Sequence, residues 1–274
     1  MPNSEVHAKL NFVIHPGRIF RVLTYIVLAL TFVSTAVLSV GWITGHTYLM
    51  GLVPLFNVGK EANVPTWYSS FALLLCSALF YAIASAEKAA KTHHAFHWRA
   101  LAVIFLFFSA DEASSIHETI GGVFERVFHT SIFTNYGWAA PGAVLAVVVG
   151  LLFARFLIHL PAATRRLFII AGALYMAGVS GMEVVSLRWG LAYGTGNVGY
   201  RLLATLEELL EMMGVVVLIY ALALHIARYM PRKEILIRFT DAEKPRPAAS
   251  VKETRYTSRL PRHRRPQETK RPLA

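Results

Sequence analysis

Residues 200–229 read YRLLATLEELLEMMGVVVLIYALALHIARY, an apolar stretch with Glu207, Glu208 and Glu211 near its start. A membrane-spanning helix needs about 20 mostly apolar residues, and this run has them. An ionisable side chain in hydrocarbon costs about 2.5–3.5 kcal/mol on insertion scales, so acids there are rare and usually functional. The stretch therefore sets the fold class and poses the main question, which is what neutralises its acids.

The same reading predicts five more spans, at 22–43, 66–86, 100–120, 138–160 and 166–189. The expectation is an all-α, polytopic membrane helical bundle of about six transmembrane helices over 22–230. A polar segment (1–21) precedes it and a tail (231–274) follows. The first run is long and lacks a small-x-small cleavage site, so it reads as a span rather than a removed signal. A composition that is 55% hydrophobic supports the membrane class.

The net charge of +11 resembles a nucleic-acid signal until its distribution is read. Fourteen of the 27 Lys/Arg lie from Arg228 onward, and six spans place 23 on one side of the membrane and 4 on the other. That asymmetry predicts cytoplasmic N- and C-termini in a multi-pass protein of the cell membrane, the bacterial inner membrane. Pro245, Pro247, Pro261, Pro266 and Pro272 interrupt the basic tail, which is expected to be disordered. Membrane lipids are the expected partners, with the tail contacting anionic headgroups; no nucleic acid is expected. The single cysteine, Cys76, excludes an internal disulfide and a cysteine zinc site.

Eight of the sixteen acids sit in or beside spans: Glu61, Asp111, Glu112, Glu118, Glu183, Glu207, Glu208 and Glu211. With the termini inside, all eight converge on the outer half of the membrane, and no acid falls in the inner half of a span so delimited. At about 100° per residue, Asp111, Ser114, Ser115 and Glu118 share one face of the third helix. Glu207, Glu208 and Glu211 fit within an arc of about 100° on the sixth. Polar residues at this depth face the bundle interior, so the two stripes are expected to face each other, with Glu183 joining.

Arg188 and Arg201 are the nearest cations and are too few. The remedies are shared protons or a bound cation. The candidate metal ligands are Glu61, Asp111, Glu112, His117, Glu118, Glu183, Glu207, Glu208 and Glu211. Carboxylates suit Mg, Ca or Mn, and the imidazole admits Fe or Zn, so the expected cofactor is a divalent metal ion of that set. A di-iron bundle site would need Glu-x-x-His on two helices, and Glu112-x4-His117 departs from that. Against the metal stands a structural reading: acids in an aqueous vestibule, or beside the N-terminal dipole of the sixth helix. The third helix fits this poorly, because its acids lie near its C-terminal end.

Other polar residues have ordinary readings. His93, His94 and His97 read as a solvated cytoplasmic loop, and His159 and His225 as interface residues. Asn57 and Asn63 read as loop caps, with Trp67 at the interface. Gly172, Gly178, Gly181 and Gly214 are expected to allow close helix packing.

Three motifs, Glu61-x-Asn63-x-Pro65-Thr66-Trp67, Asp111-Glu112-x4-His117-Glu118 and Glu207-Glu208-x2-Glu211, resemble a family of uncharacterised bacterial multi-pass membrane proteins. The likeness covers the six-span core and implies that these residues form one site; it carries no activity. Membrane hydrolases of the alkaline-ceramidase type use three histidines around zinc, and the outer half here offers one.

Three functions remain open. The first is a metal-dependent membrane enzyme acting on a lipid or apolar substrate. The second is a cation- or proton-coupled transporter, against which stand the missing inner acids and inverted repeat. The third is a non-catalytic membrane subunit or assembly factor.

Overall fold

The computed structural model describes residues 15–46, 48–92, 94–129 and 139–230. Among them every regular element is helical. Helix α1 (Pro16–Thr44) starts at a proline and stops at Gly45, whose left-handed φ of 71° only glycine adopts without strain. A short 3₁₀ turn (Leu49–Gly51) and α2 (Leu52–Phe56) lead to α3 (Val64–Ala89). Then come α4 (Ala95–Ser114), α5 (Ile116–Phe128), α6 (Ala139–His159) and α7 (Ala162–Met176). A π-helical turn (Ala177–Met182) joins α7 to α8 (Glu183–Tyr193), and α9 (Val198–Tyr229) completes the bundle.

Five stretches are long and apolar enough to cross a membrane: α1, α3, α6, α7 with α8, and α9. A sixth, α4 with α5, passes only as a bent pair, turned by 78° at Ser115. The expected bundle of about six spans is thus five to six, the third being the α4–α5 pair broken at Ser115 rather than one continuous helix to residue 120.

Helix α9 is the central post, packed on α1, α3, α7, the π turn and α8. Gly214 lets it approach α7, because a Cβ there would lie 2.9 Å from the Ala171 carbonyl and the Tyr175 nitrogen. Gly178 works the same way against Glu207 and Glu211, whereas Gly172 has open space and Gly181 only a distant neighbour. The close-packing expectation therefore fails at those last two. Helices α3 and α4 pack along their length and are locked in register by serines. Ser70 and Ser109 each donate to the other's carbonyl at 2.8 Å, and Ser77 donates to Ala102 at 2.7 Å. Hydroxyls bridging helices in this way are a common membrane adhesive.

The buried apolar core lies toward the end of the bundle away from the acids. Phe80, Ile83, Trp98, Ile219 and Leu222 form its centre. His225 is buried there and shares a 3.0 Å hydrogen bond with Thr164, so it is a packed core histidine rather than an interface residue. Helix α3 extends beyond its expected end and takes in Glu87, to which Thr92 donates. His93 and the tail from residue 231 lie outside the described residues. Helix α6 exposes Val144, Val147, Leu151 and Leu152, as a lipid-facing helix does.

Candidate metal centre

The site is built around the break at Ser115. That residue adopts φ 50°, ψ 41°, outside the helical region. Serine hydrogen-bonds backbone locally and is a weak helix former, so Ser114-Ser115 is a soft point. Asp111 exploits it. One carboxylate oxygen, Oδ1, accepts from the His117 backbone N–H at 2.7 Å, and Oδ2 lies 3.0 Å from His117 Nδ1. A carboxylate from the last turn of α4 thereby caps the first turn of α5.

This overturns the single face expected for Asp111, Ser114, Ser115 and Glu118. It also removes an electrostatic difficulty, since anions near a helix C-terminus are disfavoured. Asp111 and Glu118 instead lie at the positive N-terminal end of α5, where negative charge is favoured.

The third partner comes from the loop before α3. Asn63 caps that helix by accepting from Thr66 N–H at 3.1 Å, and its amide donates to the Asn57 and Lys60 carbonyls at 2.7 and 2.8 Å. The asparagines are loop caps, as expected. The folded loop presents Glu61, whose Oε1 lies 3.7 Å from His117 Nε2. Donor atoms of Glu61, His117 and Glu118 all fall within 4.8 Å of one another. Bonds of about 2.0–2.2 Å to one cation would separate such donors by about 3–4 Å, so a small contraction closes the set.

The remaining acids divide in two. Glu112 on α4 and Glu208 and Glu211 on α9 line one small cavity together with Tyr68, Ser69 and Tyr175. Glu112 feels the charges of Glu61, His117 and Asp111, so cavity and centre adjoin. Glu207 turns away from them: the Ser186 hydroxyl donates to its Oε2 at 2.9 Å, and the charge of Glu183 acts on it. Of the expected stripe on α9, Glu208 and Glu211 line the cavity with Glu112, whereas Glu207 hydrogen-bonds Ser186 of α8. Neither Arg188 nor Arg201 pairs with a carboxylate among the described residues.

Glu61 stands in the loop outside the spans. Partial burial first, then the negative charge of Glu118, holds its carboxyl above the ordinary 4.5; His117 opposes this and Asp111 adds to it. Crowded carboxylates around one imidazole form a site that favours positive charge.

A family model described as a domain of unknown function, DUF8692, matches residues 21–226. The chain belongs to this family. The DUF8692 segment coincides with the helical bundle, contains all nine candidate ligands, and ends before the basic tail. No curated protein and no solved structure matches the chain.

Sequence reasoning missed Tyr68 and Tyr175, which look like ordinary aromatic residues of apolar spans. It also missed the role of Asp111. The one local signal for that role was Ser114-Ser115, two weak helix formers between an acid and a histidine.

Proposed function

We propose that this DUF8692 chain is a metal-dependent membrane enzyme acting on a lipid or other apolar substrate, with a divalent cation held by Glu61, His117 and Glu118. The observation that carries the reading is the line Asp111–His117–Glu61. A carboxylate on Nδ1 keeps that nitrogen protonated and leaves the Nε2 lone pair directed at the acids, the arrangement metal-ligating histidines use. One imidazole with carboxylates suits Fe, Mn or Zn better than Ca or Mg. Bound there, the cation would polarise a carbonyl or phosphoryl oxygen as a Lewis acid.

The substrate class follows from α5. Its Ile120, Val123, Val127 and Phe128 are exposed, while Glu118 and Glu125 occupy its other side. An amphipathic helix turned by 78° at the end of a span suits the membrane interface, apolar side in the acyl region. The charge asymmetry supports the outer face of a bacterial inner membrane, with cytoplasmic termini, and the three motifs support kinship with bacterial multi-pass proteins. The transporter reading is disfavoured: beyond Glu211, α9 continues as buried Val215, Ile219 and Leu222 in one apolar cluster with Leu73, Cys76 and Phe80, and as Val216 in another with Val27. Among the described residues such packing favours no polar path for ions.

Metal analysis of the full chain, purified in detergent and reconstituted with Fe, Mn or Zn, tests the proposal. Metal in the wild type that is lost in H117A and E118Q supports it. No stoichiometric metal under any of these conditions would overturn it and favour a non-catalytic subunit.

A further inference from the structure

Two residues outside the Glu61, His117 and Glu118 group hold the loop that carries Glu61. The first is Ser34, on α1 and fully buried. Thr35 and Thr44 of the same helix donate to carbonyls of their own turns, the ordinary habit of a helical hydroxyl. Ser34 is turned to the loop instead: its oxygen accepts the Val58 backbone N–H at 3.1 Å, 24 residues away in sequence. Val58 is itself buried, in a cluster with Val27 of α1 and Met212 and Val216 of α9. The start of the loop is thus fastened to α1 by a polar bond and set among two spans by apolar burial.

The second is Asn63, at the other end. Its amide donates to the Asn57 and Lys60 carbonyls while its oxygen caps α3. The Lys60 carbonyl also accepts from the Thr66 hydroxyl at 3.3 Å, and the Lys60 N–H donates to the Asn57 carbonyl at 3.2 Å. Ala62 adopts φ 57°, a left-handed conformation that a residue with a Cβ keeps only where its surroundings impose it. Glu61 lies between the doubly bonded Lys60 carbonyl and Ala62, so its backbone is held on both sides.

We propose that Ser34 and Asn63 are positioning residues, which hold Glu61 opposite His117 before any cation arrives. The inference rests on the reading of Glu61 as a ligand. A carboxylate on an untied loop loses backbone freedom when it binds, which weakens the site; a tied one has lost it on folding. Without the Ser34 oxygen, the buried Val58 N–H lacks its partner and the loop must shift to find another. Glu61 and His117 stand 3.7 Å apart, and a shift of about 1 Å is enough to loosen such a group.

Mn²⁺ binding to the full chain in nanodiscs, followed by electron paramagnetic resonance, tests this in wild type, S34A, E61Q and S34A/E61Q, with helical content read by circular dichroism. S34A is expected to bind about tenfold more weakly than wild type at unchanged helical content. Added to E61Q, which keeps His117 and Glu118, S34A is expected to weaken binding no further, because both changes act through one ligand. An equal loss in both backgrounds, or no loss in either, overturns the inference and leaves the Glu61 centre standing. A wild type that holds no Mn²⁺, Fe²⁺ or Zn²⁺ overturns both. If S34A does not fold, or E61Q binds too weakly to titrate, N63D decides. It keeps the cap oxygen, loses both amide donations and adds a charge that by itself attracts cations. Weaker Mn²⁺ binding in N63D supports the inference; equal or tighter binding overturns it.

Discussion

Asp111 binds His117 twice across the break at Ser115, accepting from its backbone N–H at 2.7 Å and pairing with its ring nitrogen at 3.0 Å. One side chain thus terminates α4, starts α5 and aims an imidazole at Glu61.

Replacing Asp111 separates these tasks. D111N keeps an oxygen for the backbone N–H and loses the charge that orients the ring, so metal affinity should fall about 10–100-fold with the fold intact. D111A also loses the cap, at a further cost of about 1 kcal/mol. Metal titration and thermal melting of both variants measure the two effects; wild-type affinity in D111N would show that the pairing does not serve a metal.

Glu61 predicts a pH dependence. Its carboxyl is raised above 4.5 in the folded chain, first by burial and then by Glu118. Between the ordinary value and the raised one, the folded chain holds a proton that the unfolded chain has released. Stability of the metal-free protein at this group is therefore lost as pH rises through that window, and E61Q should flatten the decline. Cation affinity runs the opposite way, rising with pH as Glu61 ionises. Melting curves in chelator and metal titrations across pH 4–7 check both signs, and identical slopes in wild type and E61Q would remove Glu61 from the account.

Helix α5 should lie at lipid depth. Val127 and Phe128 are 63% and 64% exposed on its apolar side. F128W in vesicles is expected to emit at short wavelength and to be quenched by brominated acyl chains. A red-shifted, unquenched tryptophan would place α5 in water and remove the argument for an apolar substrate.

Gly214 and Gly178 test the packing that sets the acids beside one another. G214A would force a Cβ within 2.9 Å of α7 backbone and should cost about 1–3 kcal/mol. G178A meets both the Glu207 carbonyl at 2.8 Å and the Glu211 side chain, so it should also displace Glu211 and cost more. Loss of stability in both variants, larger in G178A and read by thermal melting, is the expected contrast. The reverse pattern would contradict the placement of Glu211.

Much of this was legible along the chain. The spans, the polar ends and the gathering of eight acids at one side follow from hydropathy and from Lys/Arg counts, which add up residue by residue and need no knowledge of packing. Asn63 could be read as a cap because a cap is a local feature. The role of Asp111 could not, because periodicity assumes an unbroken helix, and a 78° turn at one residue moves every later side chain off the face it predicts.

By itself, then, the sequence determined a bundle of about six apolar helices with eight of its carboxylates toward one end. Only the tertiary structure decided how those carboxylates divide. Asp111 became a cap and ring partner for His117; Glu61 and Glu118 came to face that histidine; Glu112, Glu208 and Glu211 closed a separate cavity with two tyrosines; and Glu207 turned to Ser186. The physical reason is that insertion depth is an additive, local property, whereas which acids become neighbours depends on a helix break and on glycine-permitted contacts between helices distant in sequence.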